Sequence, residues 1–233
     1  VAPSLLGIYA SNRQTDALQG LADRYFNMGA PYRDELARIS ADPNAFYSGP
    51  QATKATVENL NLLQAGRGEI AFTLGDALSD AWKGDAEAGF ATPLKKLRGV
   101  AGTYSNYIQI VASADSGIKT MADLKGKRIS VGAPKSGTEL NARAILKAAG
   151  LSYKDFAKVE YLPFGESVEL IKNRQLDVTL QSAGLGVASI RDLATSVKIV
   201  VVAVPADIVA KVGDPAYVAA MIPANTYTGQ TAD

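Results

Sequence analysis

The chain has 233 residues, of which 47% are hydrophobic and 20% charged, which is enough for one large domain or two lobes of about 100 residues each. Its 24 Lys and Arg nearly balance 23 Asp and Glu, and the resulting net charge of +1 gives no bulk attraction to nucleic acid. The chain contains no Cys and no His, which excludes disulfides, thiol nucleophiles and Ser-His-Asp or Cys-His catalytic sites within it.

Residues 1–50 show the weakest pattern. A helix is predicted over 16–28, with Thr15 as its N-cap and Gly29 as its stop, and a second helix over 32–40. The chain begins at Val1 with no signal peptide, and we interpret it as a processed chain or a fragment. No apolar run reaches the roughly 20 residues that are needed to span a bilayer.

From residue 51 onward, helical and strand patterns alternate. The clearest helix is predicted over 138–149, where apolar residues recur at helical spacing before Gly150. The other predicted helices start at Thr56 and end at Gly66, or cover 76–83, 167–174 and 186–195. Strands are predicted over 69–74, 107–111, 128–131, 159–162, 177–180 and 198–204. This alternation predicts mainly parallel sheets covered by helices, and a break in phase near residues 100–110 indicates a crossing between two lobes.

The segment from Val131 to Glu139 is the most informative for function. It joins a strand end to a tight Gly/Pro loop and then to the clearest helix. Exposed N–H groups at a helix start carry partial positive charge and bind carboxylate, sulfate or phosphate, and Ser136 and Thr138 can add hydroxyl donors. Alternatively, one of these hydroxyls only caps the helix. No Gly-Lys-Ser/Thr closes the loop, so it is not a P-loop.

Three further segments are candidates for ligand contact. Thr56 lies at another loop-to-helix junction, and Asp76 either receives an ammonium group or caps its own helix. Residues 181–184 follow a predicted strand with small side chains that let the backbone approach a ligand, or they form a plain turn. Tyr104, at the crossing between lobes, either covers a ligand or packs at the rim of the core.

Residues 113–138 carry a family resemblance. They contain Asp-Leu-Lys-Gly-Lys-Arg and then Val-Gly-Ala-Pro-Lys-Ser-Gly-Thr, which resemble the opening of the second lobe in periplasmic solute-binding proteins. With Glu139 continuing that motif, the chain resembles the TAXI family, the TRAP-associated extracytoplasmic immunogenic proteins. Supporting matches occur, in family order, at 56–60, 69–72, 161–167, 183–186 and 222–227. The resemblance covers residues from about 51 to 233.

The resemblance implies an α/β fold of the type II periplasmic-binding class, with two lobes and a hinge. Lobe 1 would comprise residues 1–106, lobe 2 residues 107–204, and residues 205–233 would return toward lobe 1. Two departures concern lobe 1. The family's Gly-rich first loop has no match in residues 1–50, and the family continues beyond the motif at 222–227 with helices that complete the lobe.

The resemblance also implies a function and a set of contacts. The ligand would be a small carboxylate, either an amino acid such as glutamate or a dicarboxylate, bound in the periplasm by a monomer without catalysis, cofactor or metal, and delivered to a TRAP-type membrane transporter. Carried over by motif, the ligand-binding residues would be Thr56, Asp76, Tyr104, Ser136, Gly137, Thr138, Ser182, Ala183 and Gly184.

Two other functions use the same fold. A ligand-sensing module for a membrane receptor or kinase is not separated from transport by the sequence. An enzyme resembling the pyrimidine synthases is disfavoured, because those proteins need His and other reactive side chains, and this chain has no His.

Overall fold

A computed structural model describes residue 53 and residues 55–231. The chain divides into two compact units, one of Val1–Thr53 and Ala65–Ile70 and the other of Lys54–Gln64 and Ala71–Asp233. All elements named below belong to the second unit. The helices predicted over 16–28 and 32–40 lie outside the described residues.

Helices and strands of the second unit follow the predicted order, except that the strand over 69–74 is absent and the helix Ala206–Val212 was not predicted. The helices are α1 Thr56–Gln64, α2 Gly75–Lys83, α3 Gly137–Ala148, α4 Phe164–Lys172, α5 Ala188–Ser196 and α6 Ala206–Val212. The strands are β1 Tyr107–Ser113, β2 Arg128–Ser130, β3 Lys158–Glu160, β4 Val178–Ala183 and β5 Ile199–Val202. Short 3-10 helices occur at Ala114–Ser116, Met121–Leu124 and Tyr153–Asp155. Of the described helices, none has the length and hydrophobicity that crossing a bilayer requires.

The strands form one five-stranded sheet in the order β3-β2-β4-β1-β5. β2 runs parallel to β3 and β4, whereas β1 runs antiparallel to β4 and β5. Four of these five strands therefore point the same way, which confirms the predicted α/β class with a mainly parallel sheet. The exception, β1, begins within the predicted phase break near residues 100–110. The predicted lobe boundaries themselves stay a prediction.

Helices cover both faces of the sheet because neighbouring strand residues point to opposite sides. Ile110 and Leu180 belong to the cluster that α3 covers with Ile145. Val111 belongs to the opposite cluster, which includes residues of α4 and α5. A third cluster unites α1 and α2 with the segment after them and with one residue of α3. It comprises Val57, Leu60, Ala77, Ala81, Ala88, Phe90, Leu94, Leu97 and Leu140.

Two predictions of secondary structure were wrong. Residues 69–74 form no strand, and Ile70 and Phe72 are 78% and 53% exposed. Their alternating pattern has strand propensity, but no described strand pairs with it, and α2 follows at once. Residues 181–183 were expected to follow a strand but belong to β4, because β1 extends the ladder to the pair Tyr107 and Ala183.

An ion pair fastens the start of β2 to the start of β4. Asp177 Oδ2 accepts from the Arg128 backbone N–H at 2.8 Å and from Arg128 Nε at 3.0 Å, while Arg128 Nη1 donates to the Arg174 carbonyl at 2.9 Å. The Arg128 hydrogen bonds hold the pKa of Asp177 below its ordinary value.

We expect Asp177→Asn to lower the free energy of unfolding by about 1–3 kcal/mol at pH 7, because hydrogen bonds to a charged group are lost. A carboxylate with a lowered native pKa stabilises the fold above its unfolded pKa of about 4, and this contribution is lost as the pH falls through the native value. The difference in the free energy of unfolding between wild type and variant, measured by urea titration, should therefore narrow as the pH is lowered from 7 to 2. Asp207→Asn, in an exposed pair with Lys211, should change little. If Asp177→Asn lowered the free energy of unfolding equally at pH 7 and pH 2, the charge of Asp177 would not be the stabilising factor.

Candidate functional site

The start of α3 has two unused backbone donors. Ser136 is the N-cap, since its hydroxyl accepts from the Glu139 N–H at 3.1 Å and its carbonyl accepts from the Leu140 N–H at 3.1 Å. The first four N–H groups of a helix lack partners within the helix. Within the described part of the chain, the N–H groups of Gly137 and Thr138 donate no hydrogen bond. The capping alternative therefore holds for Ser136, and two amides remain for an anion.

The loop before α3 is held in a narrow range of conformations. Gly132 has a φ of +90°, and a Cβ at that position would lie 2.7 Å from the Thr138 methyl group. Lys135 has a φ of +59°, which is uncommon for a residue with a side chain. Its carbonyl accepts from the Val57 N–H at 3.3 Å. The loop thus fixes the start of α3 against the start of α1.

The helix start is buried, which corrects the expectation of exposed N–H groups. Ser136 and Thr138 are 8% and 6% exposed. A Cβ at Gly137 would lie 2.7 Å from Leu74 Cγ and 3.0 Å from Thr56 Oγ1. The physical reason is that Leu74 and Thr56 pack directly on the helix start, at a distance that only glycine permits. An anion reaches these amides only if that packing opens.

Predicted contacts from β4 also meet this region. The Thr138 hydroxyl accepts from the Ser182 N–H at 3.4 Å, and the Ser182 hydroxyl is buried without a hydrogen-bond partner among the described residues. Gly184 faces the Tyr104 ring, since a Cβ at position 184 would lie 3.7 Å from it. Tyr104 is 66% exposed, so its ring lies over the backbone at the end of β4 and not in the core.

Asp76 lies on α2, is 8% exposed, and contacts Asn141, which is one helical turn beyond Thr138 on α3. Its Oδ2 accepts from the Tyr217 hydroxyl at 2.7 Å and from Asn141 Nδ2. Asp76 does not cap α2, whose N-cap is Leu74. Burial, and then the charge of Asp76, raises the pKa of Tyr217, so the hydroxyl stays protonated and donates. Within residues 55–231, no cation lies within ion-pair distance of Asp76.

Four polar residues of this region were missing from the predicted site: Asn141, Tyr217, Gln109 and Tyr227. Gln109 interrupts the apolar strand β1, which is the available sequence signal, whereas Asn141 lies among other polar residues of α3 and gives none. Tyr217 gives no local signal because its partner Asp76 is 141 residues away.

Tyr227 and Gln109 hold the end of β4. The Tyr227 side chain is 2% exposed, and its hydroxyl donates to Gln109 Oε1 and accepts from the Gly186 N–H at 3.1 Å. Gln109 Nε2 donates to the carbonyls of Ala183 at 3.2 Å and Gly184 at 3.3 Å. The hydrogen-bonded side chains of Tyr227 and Gln109 therefore position the backbone of the predicted contacts Ala183 and Gly184.

We expect Tyr227→Phe to lower the free energy of unfolding by about 1–3 kcal/mol, because Gln109 Oε1 and the Gly186 N–H each lose a buried partner. Chemical denaturation of purified protein measures this. Tyr104→Phe is the matched control, since that ring is mostly exposed, and it should leave stability unchanged. Equal stability of the two variants would show that the hydrogen bonds of the Tyr227 hydroxyl contribute nothing to the free energy of unfolding.

Known proteins resemble this chain at two levels. The model of a family described as the NMT1-like family matches residues 20–233. Among solved structures, the chain is similar to the alkanesulfonate-binding protein SsuA from Xanthomonas axonopodis pv. citri, with 20% identity, 64% of this chain and 47% of that chain covered, and a TM-score of 0.39. It is also similar to the periplasmic aliphatic sulphonate binding protein SsuA from Escherichia coli, with 18% identity, 63% of this chain and 44% of that chain covered, and a TM-score of 0.42. An ancestral arginine-binding protein is 19% identical, with 62% of this chain and 66% of that chain covered and a TM-score of 0.36. The chain covers less than half the length of the two SsuA proteins.

Proposed function

The chain belongs to the NMT1-like family, and from this premise we propose that it is an extracytoplasmic solute-binding protein whose ligand is a small amino acid. The observation that carries the proposal is the pair of unused amides at Gly137 and Thr138, on the same helix as Asn141, which donates to the carboxylate of Asp76. Motifs at 113–139 support the TAXI subtype and a TRAP-type membrane transporter as the partner that receives the solute.

The amides supply the site for the ligand's carboxylate. Two N–H groups at a helix start point in the same direction, and the helix dipole favours negative charge there. Leu74 and Thr56 shield the position from water, which strengthens a hydrogen bond to a charged oxygen. The Thr138 and Ser182 hydroxyls lie beside the same position and add neutral donors.

Asp76 supplies the site for the ligand's ammonium group. A buried carboxylate is costly unless it is paired, and the donors on Asp76 Oδ2, Asn141 and Tyr217, are both neutral. Thr138 and Asn141 are three residues apart on α3, so they lie on one face about 5–6 Å apart at their Cβ atoms. One small amino acid spans this distance.

Ligand entry would require the packing of Leu74 and Thr56 on Gly137 to open, as in hinge closure around a solute. Contacts to both sides, Asp76 from α2 and the amides of α3, would then favour the closed form. Binding without catalysis is part of the proposal, because the chain contains neither His nor Cys to act as base or nucleophile.

We expect L-glutamate or another small amino acid to raise the melting temperature of the protein in a thermal-shift panel, because a ligand that binds only the folded state stabilises it. Asp76→Asn should weaken amino-acid binding by about tenfold or more, since it removes the charge that receives the ammonium group. The variant should affect succinate, which has no ammonium group, much less.

Asp80→Asn is the matched control, because Asp80 lies on α2 one turn from Asp76, and it is Asp76 that accepts from Asn141 and Tyr217. It should bind as the wild type does. No thermal shift from any amino acid or organic acid in the panel would remove the main support for solute binding, and equal loss for glutamate and succinate would argue against the role of Asp76.

A further inference from the structure

A cavity of about 460 Å³ lies beside α3, and none of the residues proposed above to bind the solute lines it. Its walls come from the loop before α3, from α3 itself, from the segment after α3 and from Tyr161 just after β3. Small-molecule sites typically occupy about 300–1,000 Å³, so this cavity is large enough for a ligand with one ring.

The charges around the cavity are not balanced. Glu139 is the one carboxylate among the lining residues, and its side chain is 3% exposed. Both of its oxygens accept from Arg143 Nη2 at 2.8 Å, and Oε1 also accepts from the Tyr153 hydroxyl at 3.0 Å. Lys135 and Lys147 are exposed lining residues for which residues 55–231 provide no ion-pair partner. The cavity therefore presents two unpaired ammonium groups, which attract an anion.

The inner wall is held rigidly. Arg143 joins Glu139 by a charge-assisted pair and also donates through Nη1 to the Glu87 carbonyl at 2.7 Å. Burial, and then the charge of Glu139, raises the pKa of Tyr153, so its hydroxyl remains a donor to Glu139 at neutral pH. This places the Tyr153 ring in a fixed position at the cavity wall.

The rest of the wall is aromatic and aliphatic. The rings of Tyr153 and Tyr161 meet edge to face, with centroids 5.9 Å apart and planes at 86°. Tyr161 is 41% exposed, so part of its ring is open to a ligand. Leu151, which is partly buried, adds aliphatic surface. Two perpendicular aromatic surfaces offer both stacking and edge contacts to a third ring.

We propose that this cavity is a second ligand site that binds an aromatic carboxylate, with the ring against Tyr153, Tyr161 and Leu151 and the carboxylate attracted by the positive charges of Lys135 and Lys147 at the two ends of the cavity. A compact inorganic anion would leave the apolar wall without contacts, and a neutral aromatic molecule would leave both ammonium groups unpaired. The proposal rests on this cavity alone and does not depend on the solute proposed for the start of α3.

Ligand-observed fluorine NMR of the full chain with 4-fluorophenylacetate tests the site. We expect saturable binding, weakened about tenfold in the double variant Lys135→Gln, Lys147→Gln, because both positive charges that attract the carboxylate are removed. Tyr161→Leu should also weaken binding by removing the ring contact. These side chains are exposed or partly exposed, and circular dichroism verifies that each variant is folded.

Lys154→Gln is the matched control, since Lys154 is exposed and adjacent to Tyr153 but does not line the cavity. It should bind the probe as the wild type does, and the neutral analogue 4-fluorophenylacetamide should bind more weakly than the acid. L-glutamate should not displace the probe. The absence of probe binding at millimolar concentration, or equal affinity in the lysine double variant and wild type, would overturn the proposal.

Displacement by L-glutamate together with loss of probe binding in Asp76→Asn would also overturn it, because the probe would then occupy the site at the start of α3. Failure of the amino-acid panel alone, with the probe results as expected, would contradict the proposed function and leave the cavity site standing.

Discussion

At Gly137, the start of α3 packs on Leu74 and Thr56 with no space for a Cβ atom. This close approach buries the helix start, and Ser136 satisfies only the third and fourth of its backbone donors. Two amides therefore remain in a position that water reaches poorly, where a hydrogen bond to a charged oxygen is strong and an unfilled donor is costly. The proposed solute site depends on this arrangement.

α3 is the element that connects the functional features, because successive residues of its first two turns contact different parts of the chain. Thr138 meets β4 through Ser182, Asn141 meets α2 through Asp76, and Glu139 lines the cavity beside α3, where it binds Arg143 and Tyr153. Its opposite face, with Ile145, packs on the sheet core. A single rigid helix thus holds donors, a buried carboxylate and an aromatic wall in fixed relation.

The sequence predicted α3 well because the cap, the spacing of Ile145 and its apolar neighbours, and Gly150 all indicate the same helix. It also predicted the α/β class and a phase break near residues 100–110, where the antiparallel strand β1 begins. It did not predict that Leu74 covers Gly137 or that Tyr217 binds Asp76, because contacts between distant residues leave no local pattern. The predicted strand over 69–74 was wrong for a related reason, since strand propensity has no effect without a partner strand.

The central claim is that the Gly137 and Thr138 amides bind the carboxylate of a small amino acid. An ¹H–¹⁵N correlation spectrum of labelled protein, titrated with L-glutamate, tests it most directly. The account predicts saturable downfield shifts of these two amide protons, larger than those of Glu139 and Leu140, whose N–H groups already have acceptors. Saturable glutamate binding that leaves the Gly137 and Thr138 resonances unchanged would contradict it.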